Sequence, residues 1–164
     1  MAKTGAALAR GQSKQDYRTP PEFLREVIRR FGKITLDAAA DPENRVCPQY
    51  FGVGSVLGAD ALALDWERFS EPGDVVWCNP PFGTMAPWAE ACRTQQNRPW
   101  WTLLLAPASV GANWFGNFVD GQAMIFWISP RITFVGEKNG YPRDLMLAAY
   151  GYSARGTGRM IGDW

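Results

Sequence analysis

The sequence predicts a single α/β domain built on a doubly wound, mostly parallel sheet. Three observations carry that expectation. From residue 34 onward, apolar runs of strand length alternate with segments of helical periodicity, the pattern left by crossover connections between parallel strands. The runs at 75–78, 101–105 and 124–128 are nearly continuous rather than alternating, as strands covered on both faces are. At 164 residues with 46% apolar side chains, the chain can bury one sizeable core and is short for two.

Residues 1–16 carry Lys3, Arg10 and Lys14 against one acid, Asp16, among small and polar residues. They read as a flexible basic arm ahead of a domain spanning 17–164, although a plain frayed terminus has the same composition. Pro20-Pro21-Glu22 then starts a helix, with Thr19 as the candidate cap. Phe23, Leu24, Val27, Ile28 and Phe31 recur at helical spacing until Gly32 stops it. Residues 34–36 read as a short strand ending in Asp37 and the small run Ala38-Ala39-Ala40. No element is assignable from 43 to 58, and 60–66 reads as a brief strand or turn flanked by acids. Glu71-Pro72-Gly73-Asp74 is a turn into the strand 75–78.

A helix over 87–96 keeps Trp88, Ala89 and Cys92 on one stripe, and 101–105 follows as a buried strand. Residues 112–119 form a short helix and 124–128 another buried strand, with 132–135 as an extension. After the Asn139-Gly140-Tyr141-Pro142 turn, 145–150 is the last strand. The eight tryptophans are read as core and interface, except Trp164, a terminal indole that either packs on a partner or is unused.

A net charge of +1 says nothing about partners. Three widely spaced cysteines and no histidine argue against a zinc site and remove the commonest general base. No metal is expected. No apolar run approaches the ~20 residues a bilayer crossing needs, so no membrane span is expected and a reducing, cytoplasmic setting follows.

Chemistry is concentrated where strands end. Ligands of open α/β sheets lie beyond the carboxyl ends of the strands, which puts Asp37 and Asn79 on one crevice. There is no Gly-x-Gly-x-x-Gly, which weighs against a dinucleotide. In Asn79-Pro80-Pro81-Phe82 the prolines fix φ and withhold two N–H donors, leaving the Asn79 amide and the Asn79 and Pro80 carbonyls as acceptors. Phe82 adds a ring face. Acceptors beside a stacking face suit the exocyclic amino group of a nucleobase, whose lone pair would be aimed at an electrophile. A rigid strand-to-helix turn is the plainer reading of the tetrapeptide alone.

The strand ending in Asn79-Pro80-Pro81-Phe82 resembles the catalytic motif of amino-group methyltransferases that use S-adenosylmethionine. Tyr17-Arg18-Thr19-Pro20-Pro21-Glu22 resembles their Thr-Pro element, which implies that Tyr17, Thr19 and Pro20 hold the methionine end of the cofactor. Leu36-Asp37-Ala38-Ala39-Ala40 resembles the first cofactor loop, implying contacts from Asp37, Ala38 and Ala39. Ala59-Asp60-Ala61-Leu62 is similar to the loop whose acid meets the cofactor adenine, here Asp60, and Asn79 would also touch the cofactor. Over residues 17–151 the chain is most similar to Dam-type DNA adenine-N6 methyltransferases of phages and prophages. Arg131-Ile132-Thr133-Phe134-Val135-Gly136 and Lys138-Asn139 look like late elements of that family.

The resemblance implies a minimal Rossmann-like methyltransferase fold with an antiparallel last strand. It also implies transfer to N6 of adenine in duplex DNA, with the base flipped out, by an enzyme in the cytoplasm, of the host if phage-encoded. Asn79, Pro80, Pro81 and Phe82 would be catalytic, and Arg131, Lys138 and Arg143 would bind DNA. A homodimer is compatible with this reading. Asp37 and Asn79 are too close in sequence for the full strand-helix-strand that usually carries the ribose-binding acid, so Glu43 and Asp65 stand as candidates. With no segment for a separate recognition domain, sequence preference falls to loops 53–58 or 131–143. Methylation of RNA guanine, cytosine N4 or protein glutamine, or an idle DNA-binding module, are the alternatives.

Overall fold

Proline placement decides where the first helix begins. In the computed structural model, which describes residues 16–164, Pro20 is extended (φ −67°, ψ 142°) and Pro21 takes the first position of α1 (Pro21–Phe31), where a missing N–H costs no hydrogen bond. Thr19 does not cap the helix, contrary to the sequence expectation: the cap residue is Pro20 and no side chain satisfies the helix start. Phe23 and Val27, four residues apart, turn one face inward and are fully buried. Glu26 on the outer side takes hydrogen bonds from both Arg29 and Arg30, which hold its carboxyl down to about 2. Gly32, at φ 106°, ends the helix. The expected arm lies almost wholly outside the described residues.

The strands are β1 (Ile34–Asp37), β2 (Val75–Cys78), β3 (Trp101–Pro107), β4 (Met124–Ser129), β5 (Leu145–Tyr150) and β6 (Gly156–Ile161). They form one sheet in the order β1-β2-β3-β5-β4-β6. β1, β2 and β3 are parallel, β4 and β6 are parallel, and β5 runs against both of its neighbours. β5 is thus the expected antiparallel strand, but it is not the last: β6 follows it and pairs with β4 along its whole length. The expected strand extension at 132–135 is also absent. Ile132 and Phe134 are buried, yet the Val135 N–H goes to the Arg18 carbonyl and Ile132 accepts from Tyr141 N, so no ladder forms.

Both faces are covered. α1 packs with Trp77, Leu103, Leu105 and Leu147 on one side, while α2 (Met85–Thr94) and α3 (Asn113–Phe118) pack with Val76, Leu104 and Ala148 on the other. β5 is buried at every position, and β2 likewise. Trp164 packs on its own chain: its indole N–H donates to Pro130 O at 3.1 Å and its ring meets Phe23 edge-on at 5.1 Å. No helix among the described residues is long and apolar enough to cross a membrane.

Where a further strand could flank β1 there is only a single-residue bridge from Asp37 to Tyr50. Gln49 O accepts from Asp37 N, and Phe51 N donates back to Asp37 O. Residues 60–66, read as a brief strand or turn, form two 3-10 turns, Ala61–Ala63 and Trp66–Phe69, each started by an acid accepting a backbone N–H. That accounts for the chain between β1 and β2 without a second crossover.

Candidate active site

Parallel pairing brings the ends of β1 and β2 level. Asp37 lies opposite Trp77, so Asp37 and Asn79 emerge together at the carboxyl edge of the sheet. Both line one cavity of about 520 Å³, with Tyr17, Thr19, Ala39, Asp60 and Pro81 among its other walls. That is a usual size for a small-molecule site. Ala38 and Pro20, expected at the cofactor, are not on its wall: Ala38 is fully buried in the core and Pro20 is the cap residue of α1.

The Asn79 amide is held by a segment far away in sequence. Its Nδ2 donates to Tyr17 O at 2.6 Å and to Thr19 Oγ1 at 3.2 Å. A backbone carbonyl only accepts, so the NH₂ edge must face Tyr17 and the amide oxygen must face away from it. Pro80 is buried behind, while Pro81 is exposed at the mouth.

Asp37 is 2% exposed and accepts from Ala39 N at 3.2 Å and Val46 N at 3.0 Å. Burial pushes its carboxyl up from 3.8 to about 6, and those two N–H groups offset only part of the desolvation. The folded state therefore holds this proton between pH 4 and 6 while the unfolded chain releases it. Stability should fall as pH rises through that window, by on the order of 2–3 kcal/mol for this one group. Urea unfolding of wild type and Asp37→Asn at pH 4.5 and 7 checks this: the wild type should lose more stability with rising pH than the variant, and equal losses would contradict the buried acid.

Other cavity residues were not legible as such. Asp41 and Asn44 line it, tied by Asp41 Oδ1 accepting from Glu43 N and Asn44 N. Phe51 and Trp88 give it aromatic walls. The two ribose candidates are both placed elsewhere: Glu43 pairs with Arg18 at 3.2 Å, Asp65 caps a 3-10 turn through Glu67 N, and neither is on the wall. Asp41, two residues before Glu43, is an acid that does line the cavity. Its signal in the sequence was Asp-Pro followed by Asn, an acid that begins a turn right after the alanine loop.

Phe82 is half-buried in an aromatic cluster. Its centroid is 5.4 Å from Tyr141, 5.9 Å from Tyr17 and 6.1 Å from Phe134. Tyr17, Phe134 and Tyr141 also wall a second pocket of about 540 Å³, floored by residues 136–140 and including Lys138. Tyr17 borders both spaces. Of the other expected DNA contacts, Arg131 is exposed and pairs with Asp144 at 3.2 Å, and Arg143 is exposed on the adjoining loop. Tyr141 has its phenol raised by burial and by Tyr17, with Arg143 opposing. Among the described residues, no group of three His, Cys, Asp or Glu side chains is placed to hold a metal ion.

The family model described as DNA N-6-adenine-methyltransferase (Dam) matches residues 8–148. The chain belongs to the Dam family. It is also 29% identical over 130 residues to a DNA N-6-adenine-methyltransferase of Escherichia phage T1. That match takes in 79% of this chain and 51% of the phage protein, so the chain spans about half the length of that relative. The Dam match covers Tyr17, Asp37, Asp60, the Asn79 motif and the 131–143 loop, that is, both pockets and the amide hydrogen-bonded to the Tyr17 that borders both.

Proposed function

We propose that this Dam-family chain transfers the methyl group of S-adenosylmethionine to N6 of an adenine flipped out of DNA. The observation that carries the reading is the Asn79 amide: both its N–H groups are engaged, by Tyr17 O and Thr19 Oγ1, which leaves its oxygen as an acceptor beside the cavity.

The residues present fit the cofactor. Asp37 and Asp60 each keep unused lone pairs after their backbone bonds, enough to accept from an ammonium and from an adenine amine. Asp41 would take the ribose hydroxyls, and the half-buried Trp88 offers a planar wall for a purine. When bound, the sulfonium supplies an electrophilic methyl group.

The protein's part is positioning. Asn79 Oδ1 and Pro80 O accept from the adenine NH₂, drawing its lone pair out of conjugation and fixing the line of attack. After transfer the nitrogen carries one proton too many. The chain has no histidine, and an amide is too weak a base to keep that proton, so it passes to water. The second pocket, with Tyr17, Tyr141 and Phe134 around it and Lys138 at its edge, receives the extruded nucleotide. Arg143, Lys138 and the exposed side of Arg131 face the phosphates.

Incubating the protein with tritiated-methyl donor and duplex DNA, followed by nucleoside analysis, tests the whole reading. Label in N6-methyladenine supports it; label in another base, in RNA or in protein, or DNA binding without label, replaces it. Phe82 lines neither pocket but packs on the Tyr17, Phe134 and Tyr141 rings that wall the second. Phe82→Ala should therefore lower kcat/KM about 5- to 150-fold by loosening the rings on which the base stacks, an interaction of roughly 1–3 kcal/mol. Steady-state kinetics on duplex DNA, with circular dichroism as the folding control, measures it.

A further inference from the structure

The amide that heads the motif is oriented by residues outside it. Tyr17 O, 2.6 Å from Asn79 Nδ2, accepts only, and so requires a donor at that edge. Thr19 Oγ1, at 3.2 Å, can donate or accept, and by itself would tolerate either edge. Thr19 is 8% exposed and does not cap α1, so the amide is the side-chain contact that explains its burial. The segment is anchored independently through Arg18, which lies between the two acceptors. Val135 N donates to Arg18 O at 3.0 Å, and the Arg18 guanidinium pairs with Glu43 at 3.2 Å.

We infer that Tyr17 O and Thr19 Oγ1 form an acceptor pair that turns the Asn79 oxygen toward the substrate amine, and that this pair selects Asn over Asp at the head of the motif. The inference rests on the role given to Asn79 above. Thr19 and the Tyr17 carbonyl are positioning groups here, acting through the amide. An ionised Asp at position 79 has no donor; it would set an anionic oxygen against the Tyr17 carbonyl and swing away. A protonated Asp restores the match, its O–H donating to Tyr17 O while its carbonyl oxygen takes the place of the amide oxygen.

Activity of Asn79→Asp should therefore depend on pH in a way the wild type does not. The groups facing this position are Asp16, Tyr17 and Arg18 on the leading segment, Asp37 on β1, and Asp41 and Asp60 on the loops. Lys138, Glu137 and Tyr141 lie across the second pocket. Asp37 titrates near 6 in the wild type as well, so the activity ratio of variant to wild type at each pH removes its share.

The experiment measures methyl transfer to duplex DNA by wild type, Asn79→Asp, Thr19→Val and Thr19→Ser, with methyl-donor affinity by calorimetry and folding by circular dichroism. The Asn79→Asp ratio is expected to rise at least about tenfold from pH 8 to pH 6. Thr19→Val should lower kcat by about tenfold, the worth of one lost hydrogen bond of roughly 1.4 kcal/mol, and Thr19→Ser should recover most of that loss. An Asn79→Asp enzyme as active as wild type with a flat ratio overturns the inference, as does Thr19→Val with unchanged kcat. Should Thr19→Val fail to fold, the pH ratio of Asn79→Asp decides alone. Asn79→Ala separates the two levels: if it still methylates DNA, the reading of the site falls, whereas an inactive Asn79→Ala beside a fully active Asn79→Asp at pH 8 removes only the acceptor-pair inference.

Discussion

Asn79→Ala should reduce methyl transfer by on the order of 10²–10³-fold while leaving the fold and the affinity for the methyl donor nearly intact. The magnitude follows from what the side chain is asked to do. A preorganised polar group aimed at a developing charge in a confined site is typically worth this much, and here the amide is also the group that aligns the attacking nitrogen. The fold should survive because Asn79 is half-buried and its losses are confined to the bonds to Tyr17 O and Thr19 Oγ1. Those acceptors border the cavity and can be taken up by water. Donor affinity should hold because Asp37, Asp41, Asp60 and the aromatic walls are untouched. Single-turnover methyl transfer alongside calorimetric titration of the donor separates the two. Turnover within a few-fold of wild type would remove Asn79 from the chemistry, and a parallel loss of donor affinity would make it a cofactor ligand instead.

The parts of this site carried by strands were readable from the chain alone. Val75-Val76-Trp77-Cys78 is apolar without interruption because both of its faces are covered, Asn79 is the first polar residue to emerge from that run, and Asp37 closes the shorter β1. Parallel pairing then brings two strand ends into one cavity, a consequence of topology and not of sequence distance. What could not be read is held by backbone bonds and local turns. The chain from Asp41 to Ser70 is fixed by acids at 41, 60 and 65 accepting neighbouring N–H groups and by exchanges such as Ala40 N to Phe51 O, none of which leaves an apolar period. β6 was invisible for a related reason: Gly156-Thr157-Gly158-Arg159-Met160-Ile161 buries only Met160 fully and lies at the sheet edge, where pairing needs no hydrophobic stripe. Thr19 was misread because a threonine before a helix is usually a cap; the nearby proline start needs none, and a tertiary contact with Asn79 took the hydroxyl. Residues 132–135 have a strand's alternation, with Ile132 and Phe134 buried, but their backbone groups serve the leading segment instead of a ladder.

Gly52→Ala should cost about 3–4 kcal/mol and lower the melting temperature by roughly 10 °C, with donor binding lost in step. Gly52 sits at φ 147°, and a β-carbon there would overlap the Ala40 carbonyl oxygen. That carbonyl belongs to the loop that follows β1, and Ala40 N in turn donates to Phe51 O, so the two segments touch backbone to backbone and neither can yield as a side chain would. Ala39, Ala40, Phe51 and Gly52 all line the cavity, and parting them opens the wall that holds Asp37 and Asp41. Two other glycines separate backbone strain from the close approach. Gly73 has a positive φ of 92° but nothing within 4 Å of an added β-carbon, so Gly73→Ala should cost only about 1 kcal/mol. Gly151, at φ 128°, would meet the Trp100 carbonyl at the opposite end of β3 from the cavity, so Gly151→Ala should destabilise as Gly52→Ala does while the folded fraction binds donor normally. Thermal melts with donor titration of all three variants read this out: Gly52→Ala alone should impair both properties, and a Gly52→Ala protein that melts like Gly73→Ala would show that the two loops do not meet as closely as the cavity requires.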